Sequence, residues 1–222
     1  MTKIVIFGTG GFAREVHQLI EDINAQSPAF EVLGFLDENS SNHGTLVHGL
    51  PVLGGVAWLA GHANQDVQVT VAIGNPASKR KVIAAIRGIT QAPLATLIHP
   101  RAWIGNRVAI GAGSIICAGA LITTDIEIGR SVIVNIGSTV GHDATLHDYV
   151  TVAPTVNISG SVVVGEGVDL GTGATIIQGK AIGAWTIVGA GSVVVRDIEA
   201  NVTAVGSPAK AIKSRQAGWH DE

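Results

Sequence analysis

Residues 128–146 read Ile128-Gly-Arg-Ser-Val-Ile-Val134-Asn-Ile-Gly-Ser-Thr-Val140-Gly-His-Asp-Ala-Thr-Leu146, with an aliphatic side chain at every sixth position. The beat continues without exception in both directions. It starts at Ile104 and passes through Ile110, Ile116 and Ile122, then runs on through Val152, Ile158, Val164, Leu170, Ile176, Ile182 and Val188 to Val194. Helices repeat at about 3.6 residues and strands at about 2, so neither alone requires a strict six. A fixed period of this kind predicts a solenoid, and six-residue units predict a parallel β-helix. The residue after each aliphatic is often glycine (Gly105, Gly111, Gly129, Gly141, Gly165, Gly171, Gly183, Gly189). The residue four on is small or β-branched, as at Val108, Ser114, Ala120, Val132, Ser138, Ala144, Val150, Val168 and Ala174. A narrow prism needs this pattern: one aliphatic pointing inward per short strand, a small inward residue beside it, and tight corners relieved by glycine.

The remaining residues fill a second domain. With 222 residues and a hexad region of under half that length, the chain divides into residues 1–98, 99–200 and a tail over 201–222. Aromatic residues make up 4%, as suits an interior too thin for rings. A net charge of −3 argues against nucleic acid or an anionic membrane as partner. No stretch is long and apolar enough for a membrane span. Met1-Thr2-Lys3 runs straight into a strand, which leaves no room for a signal peptide, and the single cysteine, Cys117, allows no internal disulfide. A reducing cytoplasm is the expected location.

Residues 1–98 alternate strands with helices. Ile4–Phe7, Val32–Leu36, Val67–Ile73 and Leu94–Ile98 read as strands, with a short segment at Pro51–Leu53. Helices are expected after Gly8 through Ile23, near Gly55–Ala60, and after Gly74 to about Arg87. This order predicts a parallel sheet wrapped by helices, an α/β Rossmann-like domain. Gly8-Thr-Gly-Gly-Phe-Ala13 fits G-x-G-x-x-[GA] between strand and helix, where glycines let backbone approach a phosphate at the helix N-terminus. Asp37, ending the second strand, is placed to accept from a ribose hydroxyl or a base. The plain alternative is a strand-to-helix turn with no ligand. A domain this short holds little more than one mononucleotide-binding half, so a mononucleotide or the nucleotide end of an activated sugar fits better than a dinucleotide.

Most outward positions of the hexads carry Thr, Ser, Ala, Arg or Glu; His142-Asp143 stands out. His142 lies two residues past inward Val140, so it projects from a corner. If three hexads make one coil, Thr124 and Gly160 stack on either side of it, and glycine leaves open space beside the imidazole. A histidine next to a carboxylate with room for substrate suits a general base, and the competing reading is an ordinary surface histidine. His142 and His147 have the five-residue spacing found in zinc-binding β-helix hydrolases. The third ligand position carries Asn106, so no metal is expected. Trp103 and Trp185 are expected to pack against other chains, His99 to fix the domain junction, and His17, His43, His48, His62 and His220 to lie on the surface.

Together these residues resemble the bacterial sugar acyltransferases of the sialic-acid O-acetyltransferase type. That family includes the N-acetyltransferases acting on nucleotide-linked 4-amino-4,6-dideoxy sugars. The resemblance rests on Gly8 through Val16, Phe35-Leu-Asp37, Ala72-Ile-Gly-Asn75, Leu97-Ile-His-Pro100, Asn135 through Asp143, and Gly206-Ser-Pro-Ala-Lys210. It implies a homotrimer of left-handed β-helices of hexapeptide repeats, with acetyl-CoA as co-substrate between neighbouring subunits. Gly10, Gly11, Phe12 and Asp37 would hold the nucleotide, with Gly74 and Asn75 lining the same crevice. His142 would be the base, Asp143 its orienting partner, and Asn135 a contact to the sugar. Pantetheine would lie near Gly171, Thr172, Gly189 and Ala190, and Lys210 would reach a CoA phosphate. Relatives often carry His where this chain has Thr151, whose hydroxyl would serve as donor instead, and several carry His in place of Phe12.

The expected reaction is direct acetyl transfer to an amino group in a ternary complex. Cys117 has no neighbouring cation in sequence to activate it as an acyl carrier. O-acetylation of a sugar hydroxyl is the alternative within transferases; a zinc hydrolase and a non-catalytic trimeric scaffold are the others.

Overall fold

Ile4-Val-Ile-Phe7 has no polar interruption, so both faces of that strand must be sheltered, and Ile4, Val5 and Ile6 are fully buried. The computed structural model describes residues 1–62 and 66–221. Residues 63–65, within the first expected domain, and residue 222, at the end of the expected tail, lie outside the described residues. Two compact units form: 1–74 with 78–100, and 75–77 with 101–222.

In the first unit the elements run β1 (Thr2–Phe7), α1 (Gly11–Gln26), β2 (Phe30–Leu36), β3 (Leu46–Val47), β4 (Leu50–Gly54), β5 (Val67–Val71) and α2 (Pro76–Ile89). The sheet order is β3-β4-β2-β1-β5, with β4, β2, β1 and β5 parallel. This is the order of one Rossmann half. Helix α1 buries Ala13, Val16, Leu19 and Ile20, the i, i+3, i+6, i+7 stripe that its sequence spells out. Three elements differ from expectation. The strand expected over Leu94–Ile98 covers only Leu97–Ile98, Leu94 making an isolated bridge to Val69. Pro51–Leu53 belongs to an antiparallel hairpin, β3–β4, turned at His48-Gly49, both at positive φ (48° and 78°). The helix expected near Gly55–Ala60 is a 3₁₀ turn over Val56–His62. A cavity of about 910 Å³ opens among Met1–Lys3, Gln68 and Thr90–Pro93, where β1 and β5 begin. That is the edge opposite the glycine loop.

The second unit is a β-helix of three flat sides. One coil takes 18 residues: Ile116 pairs with Val134, Val134 with Val152, Val152 with Leu170 and Leu170 with Val188. Side one contains Ile133–Val134, side two Thr139–Val140 and side three Thr145–Leu146, each continued by strands 18 residues away. The inward aliphatics form one continuous buried core. Hydroxyls among the small inward residues are matched: Ser114 Oγ donates to Gly129 O at 2.9 Å and Ser138 Oγ to Ala153 O at 2.9 Å. The post-aliphatic glycines are needed for a reason other than turning. A Cβ on Gly141 would stand 2.6 Å from Gly160 N, and one on Gly171 would stand 2.6 Å from Ala190 N, because adjacent coils touch there. The left-handed backbone falls two residues later, where Arg107, Asp125, Asp143 and Ser161 all sit at φ 57–58°.

The tail region carries two strands. Val202–Val205 pairs in parallel with the Ile187–Val188 strand and antiparallel with Lys210–Ser214. Trp185 does not present itself to other chains: it is 7% exposed. Its indole lies over Gly167, which has no side chain to resist it, and stacks on the His220 ring at 3.7 Å and 5°. Arg215 sits 4.5 Å from the Trp219 ring centroid, so this aromatic is tied down. Of the histidines expected on the surface, His17 is buried, its ring edge-on to Phe35, and His62 stacks on Trp58. His99 bonds Asp22 at 2.8 Å. No helix among the described residues is long and apolar enough to cross a membrane.

Candidate active site

The glycine loop comes first. β1 ends at Phe7, and Gly8 at φ +113° swings the chain over the sheet edge; a Cβ there would press on Ala72 O at 3.0 Å. Gly10 is the N-cap of α1 and offers no side chain to the first turn, which holds no acidic residue. Gly10 and Gly11 are exposed, with nothing within 4 Å of a Cβ on Gly10, and Phe12 is half-buried. First-turn N–H groups and the positive helix end therefore face open space, as anion binding requires. Asp37 stands beside this loop. Its Oδ2 accepts from the Thr9 hydroxyl and from Asn42 Nδ2 at 3.2 Å, and its Oδ1 accepts from Asn39 N at 2.8 Å. Thr9 and Asn42 thus hold the acid against the loop, a contact that spacing alone does not show. Gly74 and its neighbour Asn75 both lie in the link from β5 to α2, Asn75 directly before the helix.

On the coil, His142 is the second residue of the corner between sides two and three. Its Nδ1 lies 2.7 Å from Asp143 Oδ2, with side chains 65% and 62% exposed. Both are fixed by backbone: Asp143 N donates to Thr124 O at 3.2 Å and Ser161 N to His142 O at 2.7 Å. A carboxylate only accepts, so the bond puts the imidazole proton on Nδ1 and leaves the Nε2 lone pair as the ring's acceptor. One coil back, Arg107 Nε reaches Asp125 Oδ1 at 2.5 Å. Hydrogen bonds from Arg107 first, and then from the Thr124 hydroxyl, hold the Asp125 carboxyl below its ordinary range. The open space expected over Gly160 is filled. A Cβ there would stand 2.6 Å from both His142 Cε1 and Nε2, so the ring itself lies on the glycine.

Most of the other residues expected at the site occupy another corner. Asn135, Gly171 and Gly189 share the column between sides one and two, and Thr172 and Ala190 stack beside it, Gly191 N donating to Thr172 O at 2.8 Å. Val205 packs over Gly189 and pairs across the terminal hairpin with Lys210, which is exposed next to that column. Thr151 is 6% exposed, between Ile133 and Asp169 on side one, and presents no open surface on this chain. A single chain therefore joins His142 to Asp143 and gathers the expected cofactor residues, but puts the two groups on different corners. His147 also turns away from His142, at the corner between sides three and one. Among the described residues no group of His, Cys, Asp or Glu could hold a metal ion.

A Rossmann-like unit followed by an 18-residue coil with an exposed His–Asp corner is the architecture of the hexapeptide-repeat acyltransferases. Residues 3–86 match the PglD N-terminal domain family. PerB from Caulobacter crescentus, solved with CoA and GDP-perosamine, is 37% identical with a TM-score of 0.84 over 94% of this chain and 96% of that one. The acetyltransferase domain of PglB from Neisseria gonorrhoeae is 32% identical with a TM-score of 0.84, over 96% of this chain and all of that one (100%). GDP-perosamine N-acetyltransferase from Escherichia coli is 33% identical over 145 residues, a match spanning 65% of this chain and 64% of that relative's length. The chain belongs to the nucleotide-sugar N-acetyltransferases of the hexapeptide-repeat family.

Proposed function

We propose that this protein transfers the acetyl group of acetyl-CoA to the amino group of a nucleotide-linked amino-deoxy sugar, with His142 as general base. The observation that carries the reading is the exposed imidazole with Nδ1 bound to Asp143 and Nε2 open. The neutral sugar amine attacks the thioester carbonyl while Nε2 takes its proton. Asp143 stabilises the imidazolium. Collapse of the tetrahedral intermediate breaks the C–S bond, and the imidazolium returns a proton to the thiolate, giving amide and CoA. The uncapped start of α1 at Gly10–Phe12 would take the sugar's diphosphate, with Asp37 on the nucleoside and Gly74 and Asn75 nearby.

Acetyl-CoA would lie along Gly171, Thr172, Gly189 and Ala190 with Lys210 toward a phosphate, and Asn135 and Thr151 on the same side. Because these residues and His142 occupy different corners, a complete site needs a second copy. The homotrimer implied by the resemblance supplies it, with one subunit's cofactor corner facing its neighbour's His142. Use of acetyl-CoA calls for a cytoplasmic setting, and biosynthesis of a glycan or surface polysaccharide would consume the product. GDP-perosamine is the first substrate to assay, since relatives carry that name or bind that ligand. The assay follows thiol release with acetyl-CoA and identifies the product by mass. Acetylation of the amino sugar, and none of its 4-hydroxyl counterpart, is expected; turnover of the hydroxyl sugar alone would replace this reading with O-acetylation.

A further inference from the structure

We infer that Gly160 is a positioning residue: the absence of its side chain forms the platform on which the His142 imidazole lies, and so sets the direction of Nε2. The inference rests on the proposed role of His142 and goes beyond it. Three observations converge. A Cβ on Gly160 would stand 2.6 Å from Cε1 and Nε2 of His142 and 3.0 Å from Nδ1, so the whole ring face rests on the glycine rather than on one edge of it. Gly160 is buried although it lies on an outer corner, where the ring is in contact with it. The coil brings the two residues together from below as well: a Cβ on Gly141 would meet Gly160 N at 2.6 Å, so the residue preceding His142 is already pressed against the glycine backbone.

The geometry leaves the ring little choice. Nδ1 is drawn to Asp143 at 2.7 Å, the adjoining peptide is pinned by Ser161 N on His142 O, and the ring plane is supported from the next coil. A methyl group at position 160 would lift the ring and turn Nε2 away from its line of attack, without touching the carboxylate or the substrate groups on other elements. Gly160 lies outside the left-handed region, so alanine adopts its backbone unstrained.

The test is a double-mutant cycle of Gly160→Ala and His142→Ala, with kcat, KM for both substrates, melting temperature and the His142 ring resonances measured. Misplacement of a reacting group by about 1 Å costs about 10²-fold. Gly160→Ala alone should lower kcat by about that factor, leave both KM values and the melting temperature unchanged, and shift the His142 ring signals. In the His142→Ala background the same substitution should change nothing. If Gly160→Ala keeps near-full activity, or lowers residual activity equally with and without His142, the platform is refuted while the base assignment stands. If His142→Ala itself is active, the base assignment fails first.

Discussion

The imidazole proton of His142 is on Nδ1 because its neighbour 2.7 Å away is a carboxylate, and the nitrogen left open is the one that can act. His142→Ala should therefore lower kcat about 10²–10⁴-fold while nucleotide-sugar affinity, read by calorimetry, stays within experimental scatter. Asp143→Asn should lower kcat less, since the amide can still orient the ring but not stabilise its cation. Equal activity in both variants and the parent would remove the base from the mechanism. A different histidine governs stability. Burial lowers the His17 pKa below its ordinary 6.5, with His48 adding to the effect and Glu21 opposing it. The folded chain then binds fewer protons here than the unfolded one. The contribution is complete above about pH 6.5 and lost progressively as pH falls through the window down to the lowered pKa. Melting temperatures should fall as the pH drops below about 6.5, and His17→Leu, which fills the same niche beside Phe35, should flatten that fall.

Among the elements, the terminal hairpin depends on one ring. Trp185 bridges Gly167 of the previous coil and His220 of the tail, so removing it opens both contacts. Trp185→Ala should cost about 3 kcal/mol, the low end for truncating a buried aromatic, and expose the chain to trypsin after Arg215. A tail that stays resistant would show that the Lys210–Ser214 pairing suffices without the stack. The hexad pattern was enough to read each strand of the coil, because each inward aliphatic of the hexad series pairs with another aliphatic in the next coil. It did not disclose Trp185, which occupies an outward position by phase and is buried only because Gly167 lacks a side chain. The β3–β4 hairpin escaped for a related reason: His48-Gly49 supplies positive φ without Asn or Asp, and the strand before it spans only Leu46–Val47.

For the whole molecule, the residues proposed for the site lie on two different corners of the coil. Trp103 and Leu121 pair in adjacent coils on side two and are 56% and 46% exposed, an apolar strip on the side that joins the cofactor corner to the His142 corner. If the proposed trimer forms, Leu121→Glu should convert it to single chains in sedimentation and abolish acetyl-CoA binding with it. Single chains that bind acetyl-CoA with unchanged Kd would contradict a shared site.

The period of six, the βα alternation and the glycine fingerprint determined the two architectures and named His142 as the outlying residue. Such signals are local: a solenoid repeats one contact rule and a parallel sheet buries one kind of strand. Only the tertiary structure decided that Asn135 stands with Gly171 and Gly189 rather than with His142, that Thr9 and Asn42 hold Asp37, and that the imidazole fills the space over Gly160. Residues 18 apart touch because three short sides close into one coil, and residues seven apart, such as Asn135 and His142, separate because side two lies between their corners.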